Sequence, residues 1–197
     1  MNILAFVDTH GNNAALNRLI KKADSADLLV CAGDLSNWGN NLDLLIKKFA
    51  SLNKPLLIIP GNHEHEDDLR KVCAKYPYCV FLHDSSYRIN EYVFFGRGGG
   101  GFSKTDETFE KISKSFLKNK RRNDKIILVT HAPPSNTKLD YLPWGGHVGC
   151  DSYREFIEKN NVVLGISGHL HENESKQDTI NGKKIVNPGP DGKIIKI

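Results

Sequence analysis

Five short fragments place metal-binding side chains at the end of apolar runs. They are Asp8-Thr9-His10, Gly33-Asp34, Gly61-Asn62-His63-Glu64, Thr130-His131-Ala132-Pro133 and Gly168-His169-Leu170-His171, and a sixth, Asn187-Pro188-Gly189, closes the series. The first five supply two Asp, one Asn and five His. Carboxylate, amide and imidazole groups are hard-to-borderline ligands that suit Mn, Fe, Zn and similar divalent ions rather than thiolate-selected metals. The set is large enough for two ions with one histidine to spare. Two such ions, about 3.5–4 Å apart, can clamp a phosphoryl group and convert a shared water to hydroxide near neutral pH. A carboxylate can bridge them because it offers two oxygens and a full charge.

These residues must be positioned by the elements around them. Asn2–Val7, Leu28–Ala32 and Pro55–Ile59 read as strands. Between and after them lie three helical patterns: Leu16, Leu19, Ile20 and Ala23 within Asn13–Ala23; Leu42, Leu45, Ile46 and Phe49; and Leu69, Val72, Cys73 and Tyr76. This βαβαβ opening predicts parallel strands with crossover helices. The short strands Cys79–Leu82, Tyr87–Asn90 and Tyr92–Phe95 have polar breaks and predict antiparallel pairing. A Gly-rich stretch, Gly96 to Gly101, leads to a helix over about 105–120. A strand at Lys125–Val129 and a long irregular segment, 132–149, follow. Loops of that length in a compact domain are more often functional than accidental. Ser152–Lys159 reads as a short helix capped by Asp151, and Val162–Ile166 as a strand. Asn181-Gly182 is a hairpin signal, and Lys193–Ile197 is the last strand. The result is an α/β chain with mixed sheets. Its ligand-bearing loops sit where open α/β sheets place their sites, at the C-terminal ends of strands.

Composition narrows the function classes. At 197 residues the chain is read as one domain, 1–197, with 39% hydrophobic and 25% charged residues. The net charge of +4 permits an anionic substrate but does not point to stable nucleic-acid binding. The first apolar run is too short for a signal peptide, and no run approaches the roughly 20 apolar residues of a membrane span, so a cytoplasmic protein is expected. Cys31, Cys73, Cys79 and Cys150 form no CxxC pair and read as small buried hydrophobes.

The order D-x-H, G-D, G-N-H-E, H, G-H-x-H, spanning Asp8 to His171, resembles the calcineurin-like metallophosphoesterase superfamily. His131-Ala132-Pro133-Pro134, Gly146-His147-Val148-Gly149-Cys150 and Asn187-Pro188-Gly189 look most like its small single-domain Icc-related phosphoesterases. The resemblance implies a four-layer sandwich of two mixed β-sheets flanked by α-helices. It implies that Asp8, His10 and His171 hold one ion, that Asn62, His131 and His169 hold the other, and that Asp34 bridges them. The ions would be Mn, with Fe, Zn or Ni as alternatives. His63 would bind no metal and would act at the leaving-group oxygen, where an imidazole titrating near working pH is suited to move a proton. One departure stands out. Protein phosphatases of the superfamily carry G-D-x-x-D-R-G, whereas this chain has Gly33-Asp34-Leu35-Ser36-Asn37-Trp38-Gly39. Asn37 can orient His63 but adds no charge, and Trp38 replaces the phosphate-gripping Arg. That favours a phosphodiester or another small phosphoester, nucleotide-derived compounds included, over a phosphoprotein.

Other features carry weaker readings. His65 and His83 read as surface or loop residues, and Glu64 as support for the site. His147, Tyr141 and Trp144, in the long loop, are candidate substrate contacts, the two aromatics through stacking on a base. Gly98–Gly101 reads as a flexible or tightly packed connection. The basic run Lys118, Lys120, Arg121, Arg122 and Lys125 reads as a solvated helix end. Three alternatives stay open: a non-catalytic binding module on the same fold, a phosphomonoesterase, and a nuclease.

Overall fold

In the first strand, β1 (Asn2–Phe6), Leu4 and Phe6 face one way and Ile3 and Ala5 the other, and both sets are buried. Such a strand needs cover on both sides, and the architecture provides it. The structure, a computed structural model, describes residues 1–197. β1 pairs in parallel with β2 (Leu28–Cys31), which pairs with β3 (Leu56–Ile58), which pairs with β4 (Cys79–Phe81). The second sheet uses β5 (Ser86–Ile89), β6 (Tyr92–Arg97), β7 (Lys125–Thr130), β10 (Val162–Ile166), β11 (Gln177–Ile180) and β12 (Lys183–Val186). A two-stranded hairpin, β8 (Tyr141–Leu142) and β9 (Gly146–His147), stands apart from both sheets. The final strand, β13 (Lys193–Lys196), returns antiparallel to β1. The sheet orders are β13-β1-β2-β3-β4 and β11-β12-β10-β7-β6-β5.

Three apolar cores separate four layers. α1 (Asn13–Ala23), α2 (Leu42–Ala50) and α3 (Glu66–Cys73) cover the outer face of the first sheet, where Leu16, Leu45, Phe49 and Leu69 meet Leu4, Phe6 and Leu29. The two sheets face each other through Ile3, Ala5, Val30 and Leu57 on one side and Phe94, Ile127, Val129 and Leu164 on the other. α4 (Glu107–Asn119) and α5 (Asp151–Lys159) cover the far side, where Phe109, Tyr153 and Phe156 meet Phe95, Ile126 and Leu128. This is the expected sandwich of two mixed sheets between helices. The four cysteines are free, and no helix is long and apolar enough to cross a membrane.

Three expectations need correction. Cys79–Leu82 is not antiparallel: β4 runs parallel to β3, with Leu56 opposite Cys79. α3 stands between the two strands and supplies the crossover that a parallel pair requires. Only β5 and β6 form the expected antiparallel pair. Asp151 does not cap α5. Cys150 holds that position, its amide bonded to the Pro133 carbonyl, and Asp151 begins the first turn, where a carboxylate faces the positive end of the helix. The 132–149 segment is not wholly irregular, since it contains β8 and β9.

Phe94 is fully buried in the core between the sheets. Phe94→Ala should lower stability by about 3–5 kcal/mol, the usual cost of emptying such a site, read as a shift in the denaturant midpoint.

Candidate metal centre

Every ligand fragment leaves the C-terminal end of a parallel strand. Asp8 and His10 follow β1, Asp34 follows β2, and Asn62 and His63 follow β3, all in the first sheet. His131 follows β7, and His169 and His171 follow β10, in the second. The loops are tied by their backbones. Asp8 and His10 donate amide hydrogens to the carbonyls of Gly33 and Asp34, and Gly168 donates to the carbonyl of His131. Asn187 also has a task that the sequence did not reveal. Its segment closes over the end of β1, where the Val7 amide donates to the Gly189 carbonyl, and its own side-chain amide donates to the Leu170 carbonyl. Asp8, His10, Asp34 and His169 all have positive φ, between 45° and 70°. Non-glycine residues held there cost of order 1–3 kcal/mol each where the backbone is strained, and such residues cluster at functional sites.

The side chains converge. His131 Nε2 lies 2.9 Å and His169 Nδ1 3.0 Å from Asn62 Oδ1. His10 Nε2 lies 3.2 Å from His171 Nε2. Donor atoms of Asp8, His10 and His171 lie within 4.8 Å of one another, as do those of Asp8, Asp34 and His131. Asp34 Oδ2 is between them, 3.8 Å from His10 Nε2 and 3.6 Å from His131 Nε2.

The proton inventory of this cluster calls for cations. His131 is fully buried, and burial depresses its basicity, against the pull of the Asp34 charge, and so favours the neutral ring. Its Nδ1–H donates to the Ala32 carbonyl at 2.9 Å, so Nε2 carries a lone pair. That lone pair faces the Asn62 amide oxygen and the Asp34 carboxylate, both of them acceptors. Acceptors pointed at one another repel unless a metal ion or a proton lies among them. A histidine whose second nitrogen donates to a backbone carbonyl is the usual form of a metal-ligating imidazole. Asp8 Oδ1 is buried without a hydrogen-bond partner, the state of an oxygen reserved for an ion. The donor set therefore fits two divalent cations.

One carboxylate fastens the two halves of the first-sheet site. Glu64 is buried, and its Oε2 accepts from the Asp34 and Gly61 amides at 3.0 and 2.9 Å. Its Oε1 accepts from the Ser36 amide and hydroxyl, both at 2.8 Å. Burial raises its affinity for a proton, and the donated hydrogen bonds oppose that. Glycine makes the close approach possible. A Cβ at Gly61 would lie 2.0 Å from Asp34 Oδ1, and one at Gly33 would lie 2.7 Å from His131 Nδ1.

His63 stands beside the cluster. Its Nδ1 lies 3.2 Å from Asn37 Oδ1, which leaves Nε2 directed toward Asp34 Oδ2 at 4.0 Å. Asn37 thus makes the orienting contact read from its position in the sequence. Trp38, 70% exposed, stacks on the His63 ring at 4.2 Å. Phe102, also exposed, lies against His169 at 5.2 Å between ring centroids. Neither aromatic contact was read from the sequence, because nothing in its order reports that a side chain on one loop covers an imidazole on another. His83 is a buried tie: its Nδ1 accepts from the Gly98 amide. Gly98 belongs to a tightly packed connection, since a Cβ there would lie 2.3 Å from the Pro60 carbonyl oxygen.

His147 and Tyr141 are brought together, but not into the cluster. They line a separate cavity of about 430 Å³ with Lys138 and Lys176, and no proposed ligand shares it. His147 Nδ1 lies 2.9 Å from Asp140 Oδ1, and Asp140 is fully buried. Asp140 also accepts from the Asn136, Thr137 and Gly149 amides and so organises the loop. Trp144 is exposed between β8 and β9.

Two measurements probe this construction. Glu64→Gln turns an amide NH2 toward backbone donors and should cost about 1–3 kcal/mol, measured by denaturant unfolding, with weaker metal retention. The second concerns pH. Burial, with the Asp34 charge adding to it, raises the Asp8 carboxyl from its ordinary 3.8 to about 8, while burial lowers His169 to about 4. The folded Asp8 value lies above the unfolded one, so its contribution to the metal-free fold is present at acid pH and lost as pH rises through about 8. An incoming cation must displace that proton. Manganese affinity, measured by calorimetric titration, should therefore weaken about tenfold per pH unit below that point. Equal affinity at pH 6 and pH 8 would contradict the assignment.

Comparisons with known proteins bear on the family and the fold. The family model for calcineurin-like phosphoesterases matches residues 1–173. An uncharacterized protein of Methanocaldococcus jannaschii is 30% identical over 96% of this chain and 88% of its own length. A protein of Arcobacter nitrofigilis named as a probable glycerophosphodiester phosphodiesterase is 25% identical over 74% of this chain and 56% of its own. The crystal structure of TT1561 of Thermus thermophilus shares the fold with a TM-score of 0.78, at 17% identity, over 95% of this chain and 88% of that one. With its strand-end ligand loops and paired acceptor clusters, the chain belongs to the calcineurin-like phosphoesterase family.

Proposed function

We propose that the protein is a dinuclear metal-dependent phosphodiesterase acting on small, including nucleotide-derived, substrates. The observation that carries the metal chemistry is the meeting of the His131 lone pair with the Asn62 and Asp34 oxygens. In this reading Asp8, His10 and His171 hold one ion, Asn62, His131 and His169 the other, and Asp34 lies between them. When bound, two such ions supply positive charge to phosphoryl oxygens and hydroxide at neutral pH. Mn is the first candidate, followed by Fe, Zn and Ni, all suited to this O/N donor set.

The rest falls to the chain's own groups. Asn37 Oδ1 accepts from His63 Nδ1–H, fixing the ring so that Nε2 faces the reacting centre. As the imidazolium, His63 then gives its Nε2 proton to the departing alcohol oxygen and is left as the neutral Nδ1–H ring still held by Asn37. The preference for diesters rests on charge. A monoester dianion benefits from a fixed cation at the position beside His63, and this chain has Trp38 there, with neutral Asn37 as the imidazole's partner. A diester carries one negative charge and asks for less. The diesterase name of the Arcobacter relative supports the same reading.

Asp34→Ala should lose metal and activity together. His63→Ala should keep its metal while kcat falls about 10²–10⁴-fold, the range of general acid–base contributions. Elemental analysis with a metal-by-substrate screen checks both. A metal-free His63→Ala protein would refute the role given to His63, and faster turnover of phosphopeptides than of bis-p-nitrophenyl phosphate would refute the diester preference.

A further inference from the structure

The cavity of about 430 Å³ beside the β8–β9 hairpin contains none of the proposed metal donors. Tyr141 and His147 lie opposite each other on the paired strands, their ring centroids 5.3 Å apart. Lys138, Lys176 and Asp178 line the cavity with them. Asp140 fixes the His147 ring from behind. This fully buried carboxylate accepts from the Asn136, Thr137 and Gly149 amides at 3.1, 2.7 and 2.9 Å, and His147 Nδ1 lies 2.9 Å from it. A carboxylate can only accept, so Nδ1 carries a hydrogen and Nε2 is the nitrogen left for a ligand. The His147 side chain is 40% exposed, which leaves that nitrogen open to approach.

The charges around the ring are not balanced within the protein. Asp178, the one carboxylate in the wall, already serves backbone amides: Oδ2 accepts from Lys138 and Oδ1 from Thr179. Lys138 contributes only that amide to the fold, and Lys176 Nζ donates to the neutral Asn173 carboxamide at 2.7 Å. Neither ammonium is in an ion pair, so the wall presents two cations and an imidazole. Asn173 is itself fully buried, and its Nδ2 donates to the Leu139 and Tyr141 carbonyls. It thereby braces the cavity wall against the turn that begins at His171. Lysine ammoniums and a protonated imidazole form strong, charge-assisted hydrogen bonds with phosphate oxygens.

We infer that this cavity is a second anion site, separate from the metal centre, in which Lys138, His147 and Lys176 bind a phosphate group. A phosphate has enough oxygens to meet both ammoniums, His147 Nε2–H and the Tyr141 hydroxyl together, and a carboxylate does not. As the imidazolium, His147 donates through both nitrogens, to Asp140 on one side and to the anion on the other. The inference stands independently of the diesterase reading.

The probe is inorganic phosphate, titrated at constant pH into the zinc-loaded, diamagnetic protein. The His147 ring nitrogens are followed by nitrogen-15 NMR, with His147→Gln identifying their signals. The Nε2 signal should move saturably, and it should do so equally in Asp34→Ala, whose metal centre is disabled. The phosphate Kd should rise at least about tenfold, equivalent to about 1.4 kcal/mol, in Lys138→Glu/Lys176→Gln. Thermal melting verifies that this variant is folded; if it is not, Lys138→Glu alone carries the comparison, with the same expected rise. An Nε2 signal that does not move, or a Kd unchanged in the lysine variant, overturns the site. Loss of the response in Asp34→Ala would put the anion at the metal centre and overturn it as well. Acetate binding as tightly as phosphate would overturn the assignment to phosphate.

Discussion

The first-sheet half of the site depends on one buried carboxylate. Glu64 takes hydrogen bonds from the loop after β2 and the loop after β3, and so fixes Asp34 against Asn62 and His63. A buried charge is costly unless its oxygens are fully engaged. Here four donors engage them, and three are backbone or side-chain groups of residues 34 and 36. The arrangement works because Gly33 and Gly61 let the two backbones approach within distances that any Cβ would forbid. The same closeness puts the Asp34 carboxylate where it accepts from the His63 amide. The Asp34 carboxylate, the histidine beside it and the turn that carries Asn37 are thus set by a residue outside the proposed donor set.

Much of this was legible in the sequence because apolar periodicity and strand-end ligands are local signals. β1, β2, β3, β7 and β10, and α1 between the first two, were read within a residue or two, since each is a continuous apolar run or an amphipathic face, whereas the face read for α3 ran on to Tyr76, three residues beyond its end at Cys73. The loops that carry the candidate donors were legible as a group because each follows a strand, and the structure brings them to one end of the two sheets. What escaped depends on long-range packing. The parallel pairing of β4 turns on a crossover through α3 that its own polar flanks disguise. The start of α5 was misplaced by a residue because Asp151 has the chemistry of a cap, whereas Cys150 is held by a bridge to Pro134. Glu64 was visible as an acid near the site, but its four bonds were not. No spacing rule reports that Ser36, 28 residues away, is its partner.

Asn37 and Trp38 stand where the resemblance led one to expect an acid and a cation. The first keeps the orientation of His63 and drops a charge. The second replaces a cation with an aromatic plane. With Phe102 against His169, the site has an aromatic ring beside each of two imidazoles. In the proposed diesterase reading, such a site asks for less charge on its substrate than a monoesterase would.

The division of the ligands between two sheets also bears on how the chain folds. The His169 amide donates to the Asp8 carboxylate across 161 residues, and His10 meets His171 across the same span. Contacts so distant in sequence carry a large loop-closure entropy and form late. The first sheet, with β1 to β4 and three helices, can gather Asp8, His10, Asp34 and Asn62 from the first 62 residues. The remaining histidines arrive only when the second sheet docks on the inter-sheet core. The full candidate donor set is therefore assembled only once the two sheets are packed face to face, with β13 closing the first sheet beside β1.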